Sequence, residues 1–111
     1  MGCSVAHYPS LAAQLERRLE ELLATQGQLS ANSKQRIADA VHLMVTAAYD
    51  PHNAGGAGSL SPAQILTIRS SKLLARELPP GVYRAQREQL RAEVRRLVAG
   101  LDLPNAVDLE V

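Results

Sequence analysis

The 111 residues are enough for one small domain and too few for two. Leucine and alanine contribute 17 residues each, phenylalanine and tryptophan are missing, and the formal net charge is +1, so a core of aliphatic side chains is expected. No apolar run reaches the ~18–20 residues of a membrane span. The single cysteine excludes an internal disulfide and a multi-thiolate metal site, and it favours a cytoplasmic, reducing compartment.

The first predicted helix covers about residues 10–26 and follows a flexible leader over residues 1–9. Ser10 is its expected N-cap and Gly27 its expected C-terminal stop. One apolar stripe with helical spacing runs along it, comprising Leu11, Leu15, Leu19 and Leu22, joined by Ala12 and Leu23. The pattern is that of an amphipathic helix with a charged outer face.

The second predicted helix covers about residues 33–49. Asn32 and Gln35 resemble a capping box at its start, and Pro51 excludes its continuation because the residue before a proline disfavours the α conformation. A glycine-rich loop over residues 51–60 follows. The loop lacks the lysine and the preceding strand of a phosphate-binding loop, so it is interpreted as a linker.

The second half of the chain predicts two further helices, at about 62–78 and 82–99. Ser61 and Pro62 give a strong N-terminal signal for the third helix. A Pro-Pro-Gly turn separates it from the fourth, which is expected to end at Gly100 in a Schellman motif. Residues 102–111 are then expected to form an acidic, extended C-terminal segment.

These elements predict an all-α, four-helix bundle-like domain over residues 10–101, built from two antiparallel helical hairpins joined by the glycine-rich loop. Short connections within each hairpin favour antiparallel neighbours. The loop glycines also leave open an exchange of hairpins between two chains.

The most unusual feature of the sequence is the distribution of its charges. Residues 61–100 hold eight bases and three acids, a balance of +5, whereas the flanking parts of the chain are near neutral or acidic. The bases form two stripes, one per helix, each within about 80° of arc: Arg69, Lys72 and Arg76 on the third helix, and Arg84, Arg87, Arg91 and Arg95 on the fourth. Antiparallel packing would place all seven on one surface.

Apolar residues beside the arginines of the fourth helix predict a protein interface. Tyr83, Leu90 and Val94 are the candidate anchors, because apolar side chains flanked by arginine are typical of helical interfaces. Ala85, Ala92 and Ala99 repeat every seven residues on another side. A second helix can approach such a face closely, which favours a homo-oligomer.

The sequence therefore predicts a non-enzymatic interaction module, of the adaptor, chaperone or regulator type. Its third and fourth helices would bind an acidic or amphipathic protein partner. Nucleic-acid binding by the same arginines is the alternative, although only Tyr83 is available for base stacking.

Two other functions have weaker signals. His42 with Asp39 suggests a base and its orienting carboxylate, but Thr46 is a poor nucleophile and no metal-binding spacing is present, so no cofactor or metal is expected. Gly2 and Cys3 partly match an acylation signal. The acylation signal requires Ser or Thr at position 6, where this chain has Ala6, and no basic cluster follows Cys3. A membrane partner is therefore not expected.

Overall fold

The computed structural model describes residues 3–49 and 60–103, with side chains from residue 10 onward. This part of the chain is all-α, as predicted, and contains five helices: α1 Cys3–Thr25, α2 Ala31–Ala48, α3 Pro62–Glu77, α4 Pro80–Ala85 and α5 Arg87–Ala99. None of these helices combines the length and apolar character needed to cross a membrane.

The core lies between α1, α2, α3 and α5, each of which packs against the next and α5 against α1. Its hydrophobic residues are aliphatic apart from Met44 and Tyr49, and the fully buried Ser70 donates from its hydroxyl to Met44 Sδ at 3.6 Å. Its fully buried large side chains come from all four of these helices: Leu11, Leu15, Leu19, Leu23, Ile37, Val41, Leu66, Leu74, Leu90 and Val94. The apolar stripe predicted on the first helix is thus the surface that α1 buries, with Leu23 in the core and with Ala12 and Leu22 only partly buried.

Helix α1 begins at Cys3, so the predicted start at Ser10 and the predicted leader over residues 3–9 are corrected, and residues 1 and 2 of that leader lie outside the described residues. Ser10 lies inside the helix. Its hydroxyl accepts a hydrogen bond from Gln14 Nε2 at 3.5 Å rather than capping backbone amides. A cap preference is local, and it does not stop a helix whose preceding residues can also adopt the α conformation.

The end of α1 is a Schellman motif, which confirms the stop predicted at Gly27. Gly27 has a φ of 72°, its amide donates to the Ala24 carbonyl at 3.0 Å, and the Gln28 amide donates to the Leu23 carbonyl at 3.1 Å. Glycine suits this position because a Cβ is strained at positive φ.

The start of α2 differs from the prediction by its capping residue. Ser30 is the N-cap, and its hydroxyl accepts from the Ser33 amide at 3.1 Å. The predicted box of Asn32 and Gln35 is wrong, because Gln35 Nε2 donates to Asp39 Oδ1 instead. At α3 the predicted start is confirmed, with a complete capping box between Ser61 and Gln64.

The predicted fourth helix is divided into α4 and α5. The described residues therefore contain five helices where four were predicted. Gln86, with φ −115° and ψ 17°, interrupts the predicted helix between α4 and α5. Helix α4 starts at Pro80, two residues after the buried Leu78, and has no buried residue of its own. Helix α5, in contrast, packs on the bundle through three core residues, Leu90, Val94 and Val98.

The end of α5 is stabilised by α1 rather than by the predicted Schellman motif. Gly100 has a φ of −86°, which is not the left-handed conformation that the motif requires. Its carbonyl accepts from Arg18 Nη2 at 3.4 Å, and the Asp102 amide donates to Gln14 Oε1 at 3.2 Å. Leu101, which lies between Gly100 and Asp102 in the chain, is buried.

A charged cluster joins α2 to the end of α3. Arg36 Nε donates to both carboxylate oxygens of Glu77, at 2.8 and 2.9 Å, and the Ser33 hydroxyl donates to Oε1 at 3.4 Å. The Glu77 side chain is only 2% exposed, and the hydrogen bond from Arg36 holds the pKa of Glu77 below its usual value. The cluster fixes α2 and α3 as antiparallel neighbours.

Candidate binding cleft between α3 and α5

A cleft of about 350 Å³ lies on the outer side of the contact between α3 and the α4–α5 pair. We call it the α3–α5 cleft. It is lined by five residues of α3, one of α4 and two of α5: Thr67, Ile68, Ser71, Lys72, Ala75, Tyr83, Arg91 and Arg95. All three helices that form it belong to the basic region predicted to bind a partner.

Three of the predicted cations converge on this cleft. Arg91 and Arg95 are one turn apart on α5, and Lys72 approaches from α3. No acidic residue lines the cleft. Lys72 and Arg95 are exposed and Arg91 is partly buried, so their positive charges face a shared, solvent-accessible space.

The same lining also contains apolar surface. Ile68 is 43% exposed although it is a large aliphatic residue, and Ala75 lies two turns further along the same side of α3. Tyr83 of α4 is partly buried against the core and contributes its other part to the cleft. Ile68 was not predicted as a site residue. It precedes Lys72 by four residues, a spacing that places both side chains on one face of a helix.

The other predicted cations do not line the cleft. Arg69, Arg84 and Arg87 are exposed elsewhere. Arg76 lies beside the carboxylate of Glu77, with Nε 3.5 Å from Oε2. The two basic stripes therefore meet only in part, because Lys72 is the one α3 cation and Arg91 and Arg95 are the two α5 cations that line the cleft.

Two of the predicted apolar anchors are core residues. Leu90 is 1% exposed and Val94 is fully buried, so neither is available to a partner, and their assignment to the binding surface is corrected. Their spacing, shared with Val98, is the stripe by which α5 packs on the bundle.

The seven-residue alanine series is also divided. Ala85 belongs to α4, whereas Ala92 and Ala99 belong to α5, and the interruption at Gln86 separates them. A continuous small-residue face for a second helix is therefore not formed on one helix.

A second and larger cleft, of about 600 Å³, lies between α1 and α5. Its partly buried apolar residues include Leu22 and Leu97. The charges on its rim are balanced, with two bases and two acids: Arg18, Arg96, Glu21 and Glu93. Sequence reasoning missed this cleft because nothing local indicates which sides of α1 and α5 meet.

The residues suggested for a catalytic site lie on the exposed side of α2. The Asp39 carboxylate accepts from Gln35, and the Thr46 hydroxyl donates to the His42 carbonyl at 2.8 Å. Thr46 is thus engaged with its own helix backbone. Within residues 3–49 and 60–103, no three His, Cys, Asp or Glu residues come together as a possible metal site.

No protein-family model, curated protein or solved structure matches this chain.

Proposed function

We propose that the protein is a non-enzymatic interaction module whose α3–α5 cleft binds an acidic, amphipathic segment of another protein. The observation that carries this proposal is that Lys72, Arg91 and Arg95 line one cleft together with the exposed Ile68. Cations around an apolar centre are complementary to a segment that carries carboxylates beside aliphatic side chains.

The electrostatics of the cleft favour an anionic occupant. Arg91 and Arg95 repel each other at their spacing of one helical turn, at a cost of a few tenths of a kcal/mol. Lys72 adds a third positive charge without an acid in the lining. A carboxylate placed between them relieves this repulsion.

A protein segment fits the cleft better than a nucleic acid does. Three cations provide few phosphate contacts, and Tyr83 is the one aromatic ring in the lining. Ile68 and Ala75 instead offer contacts for aliphatic side chains. Nucleic-acid binding is the alternative function, and the DNA duplex among the probes below tests it.

Self-association and the cellular compartment stay predictions. No single helix carries the alanine face on which self-association was predicted, and size-exclusion chromatography with light scattering measures the oligomeric state directly. The single cysteine supports action in the reducing cytoplasm.

The test measures binding of three fluorescent probes by anisotropy. They are an acidic amphipathic peptide, the same peptide with its acids replaced by amides, and a DNA duplex. The variant is Arg91→Glu in the cleft, and the matched control is Arg69→Glu, an exposed cation of α3 outside the lining. Both variants change the net charge equally.

We expect the acidic peptide to bind and Arg91→Glu to weaken its affinity by about tenfold, equivalent to about 1.4 kcal/mol. Arg69→Glu should change the affinity by less than about twofold, because an exposed charge outside the contact acts only through a screened field. Equal losses in both variants would refute a cleft-specific site. Tighter binding of the duplex, with a steep salt dependence, would favour the nucleic-acid alternative.

A further inference from the structure

We propose that the α3–α5 cleft recognises a phosphomonoester, carried as a phosphorylated side chain by the partner segment. This inference rests on the proposed function, because it names the chemical group that the same cleft binds. The site is built from α3, α4 and α5 alone, since residues 104–111 of the predicted acidic C-terminal segment lie outside the described residues.

Most polar side chains of the cleft have no partner within the described part of the protein. The Thr67 hydroxyl donates to the Ala63 carbonyl at 2.8 Å, so it is engaged with its own helix. The other polar side chains of the lining make no hydrogen bond or ion pair with any described residue: Ser71, Lys72, Tyr83, Arg91 and Arg95. The cleft thus gathers hydrogen-bonding groups that the fold itself does not use.

These unpartnered groups are predominantly donors. Lys72, Arg91 and Arg95 can only donate hydrogen bonds, and Ser71 and Tyr83 can donate through their hydroxyls. No carboxylate or amide side chain lines the cleft, so hydroxyl oxygens are the only strong side-chain acceptors there. A ligand that only accepts hydrogen bonds, and carries negative charge, complements such a lining.

The number of positive charges selects a phosphomonoester over a single carboxylate. Three cations and no acid line the cleft, and one carboxylate neutralises one of them. A phosphorylated side chain carries about −1.5 to −2 charges at pH 7 and three acceptor oxygens. Arg91 and Arg95 lie about 6 Å apart along the axis of α5, and guanidinium groups bind phosphate through paired N–H donors. A phosphate can therefore accept from more of these donors than a carboxylate can.

The α1–α5 cleft lacks these properties. Its rim contains Glu21 and Glu93, which repel a phosphate. Arg96 is already paired with Glu93, with 2.6 Å between Arg96 Nη2 and Glu93 Oε1, and Arg18 donates to the Gly100 carbonyl. Of the two clefts, the α3–α5 cleft is therefore the one that suits a dianion.

The test compares three versions of the acidic amphipathic peptide, in which the central residue is serine, glutamate or phosphoserine. Fluorescence anisotropy measures their binding to the full chain. We expect the phosphoserine peptide to bind about tenfold more tightly than the serine peptide and about threefold more tightly than the glutamate peptide.

The outcomes separate this inference from the proposed function. Equal affinities of the three peptides would overturn phosphate recognition and leave the proposed function intact. Binding of the phosphoserine peptide alone would refute the proposal that carboxylates and aliphatic side chains suffice, and it would support phosphate recognition. Absence of binding by all three peptides would overturn both proposals.

The pH dependence identifies the ionised group of the ligand. The second negative charge of phosphoserine is lost with a pKa of about 6, whereas glutamate stays largely ionised above pH of about 5. From about pH 7.5 to about pH 5.5, the affinity of the phosphoserine peptide should fall by about two- to fourfold and that of the glutamate peptide should stay constant. No histidine lines the cleft, so this difference originates in the ligand. Parallel changes for both peptides would overturn recognition of the dianion.

Two matched pairs of variants locate the phosphate. Lys72→Gln should weaken binding of the phosphoserine peptide by about fivefold, whereas Lys34→Gln, at an exposed lysine of α2 outside the lining, should change it by less than about twofold. Ser71→Ala should weaken it by about threefold, whereas Thr67→Val should preserve it, because the Thr67 hydroxyl already donates to its own helix. Circular dichroism verifies that the four variants are folded. Equal losses within either pair would overturn the assignment.

Competition distinguishes a phosphorylated segment from a free phosphate. The amino acid O-phosphoserine and inorganic phosphate lack the aliphatic side chains that would contact Ile68 and Ala75. Each should displace the labelled phosphoserine peptide only at concentrations at least about tenfold above those at which the unlabelled peptide does. Displacement at equal concentrations would overturn the assignment to a protein segment and indicate a small phosphate-bearing ligand.

Discussion

Replacing Leu90 by alanine distinguishes a core residue from a partner contact. Leu90 is 1% exposed and packs in the shared core of the bundle. Removal of its isobutyl group loses the transfer free energy of the buried atoms and leaves a cavity, so we expect the free energy of unfolding to fall by about 2–5 kcal/mol. At about 4 °C per kcal/mol for a domain near 100 residues, Tm should fall by about 8–20 °C.

The matched control is Leu43→Ala, the same substitution at a residue of α2 that is 65% exposed. It should alter the free energy of unfolding by no more than about 0.5 kcal/mol. Urea denaturation followed by circular dichroism measures both variants under identical conditions. Where Leu90→Ala is still folded, its affinity for the acidic peptide should equal that of the wild type. If the two variants were equally stable and Leu90→Ala lost peptide binding, the assignment of Leu90 to the core would be refuted.

Two other stability measurements test local features. Gly27→Ala should destabilise the protein by about 1 kcal/mol, since φ at this position is 72°, whereas Gly81→Ala, inside α4 with no atom near its added Cβ, should be neutral or stabilising. Equal effects in the thermal melts would contradict the role of Gly27 in ending α1. Glu77→Gln should lower stability at pH 7, with Glu88→Gln as the exposed control. Because the folded pKa of Glu77 is depressed, its contribution is present above pH about 4.5 and is lost as the pH falls through the folded pKa. Urea midpoints of Glu77→Gln and wild type should therefore converge in acid, and a constant difference would refute the ion-pair explanation.

Features controlled by neighbouring residues were predictable from the sequence. The all-α class follows from apolar residues spaced at helical intervals, and the start of α3 follows from Ser61 with Pro62, whose preferences act within one turn. The stop at Gly27 follows because only glycine adopts a positive φ without strain. In each case the signal and the structure it determines lie within a few residues.

Tertiary structure decided the features for which local signals were ambiguous. Gly100 carries the same C-terminal signal as Gly27, but Arg18 of α1 supplies the partner for its carbonyl and a right-handed conformation suffices. Neither Arg18 nor Gln14 has a local pattern that indicates a contact with residues more than 80 positions away.

The division of α5 between core and surface was likewise decided by packing. Arginines and aliphatic residues alternate around this helix, so the sequence alone left both interpretations of Leu90 and Val94 open. The ring of α1, α2, α3 and α5 buries them and leaves Arg91 and Arg95 facing Lys72 across a cleft. Which cations share a surface depends on the relative rotation of two packed helices, and that rotation is set by the whole core rather than by either helix.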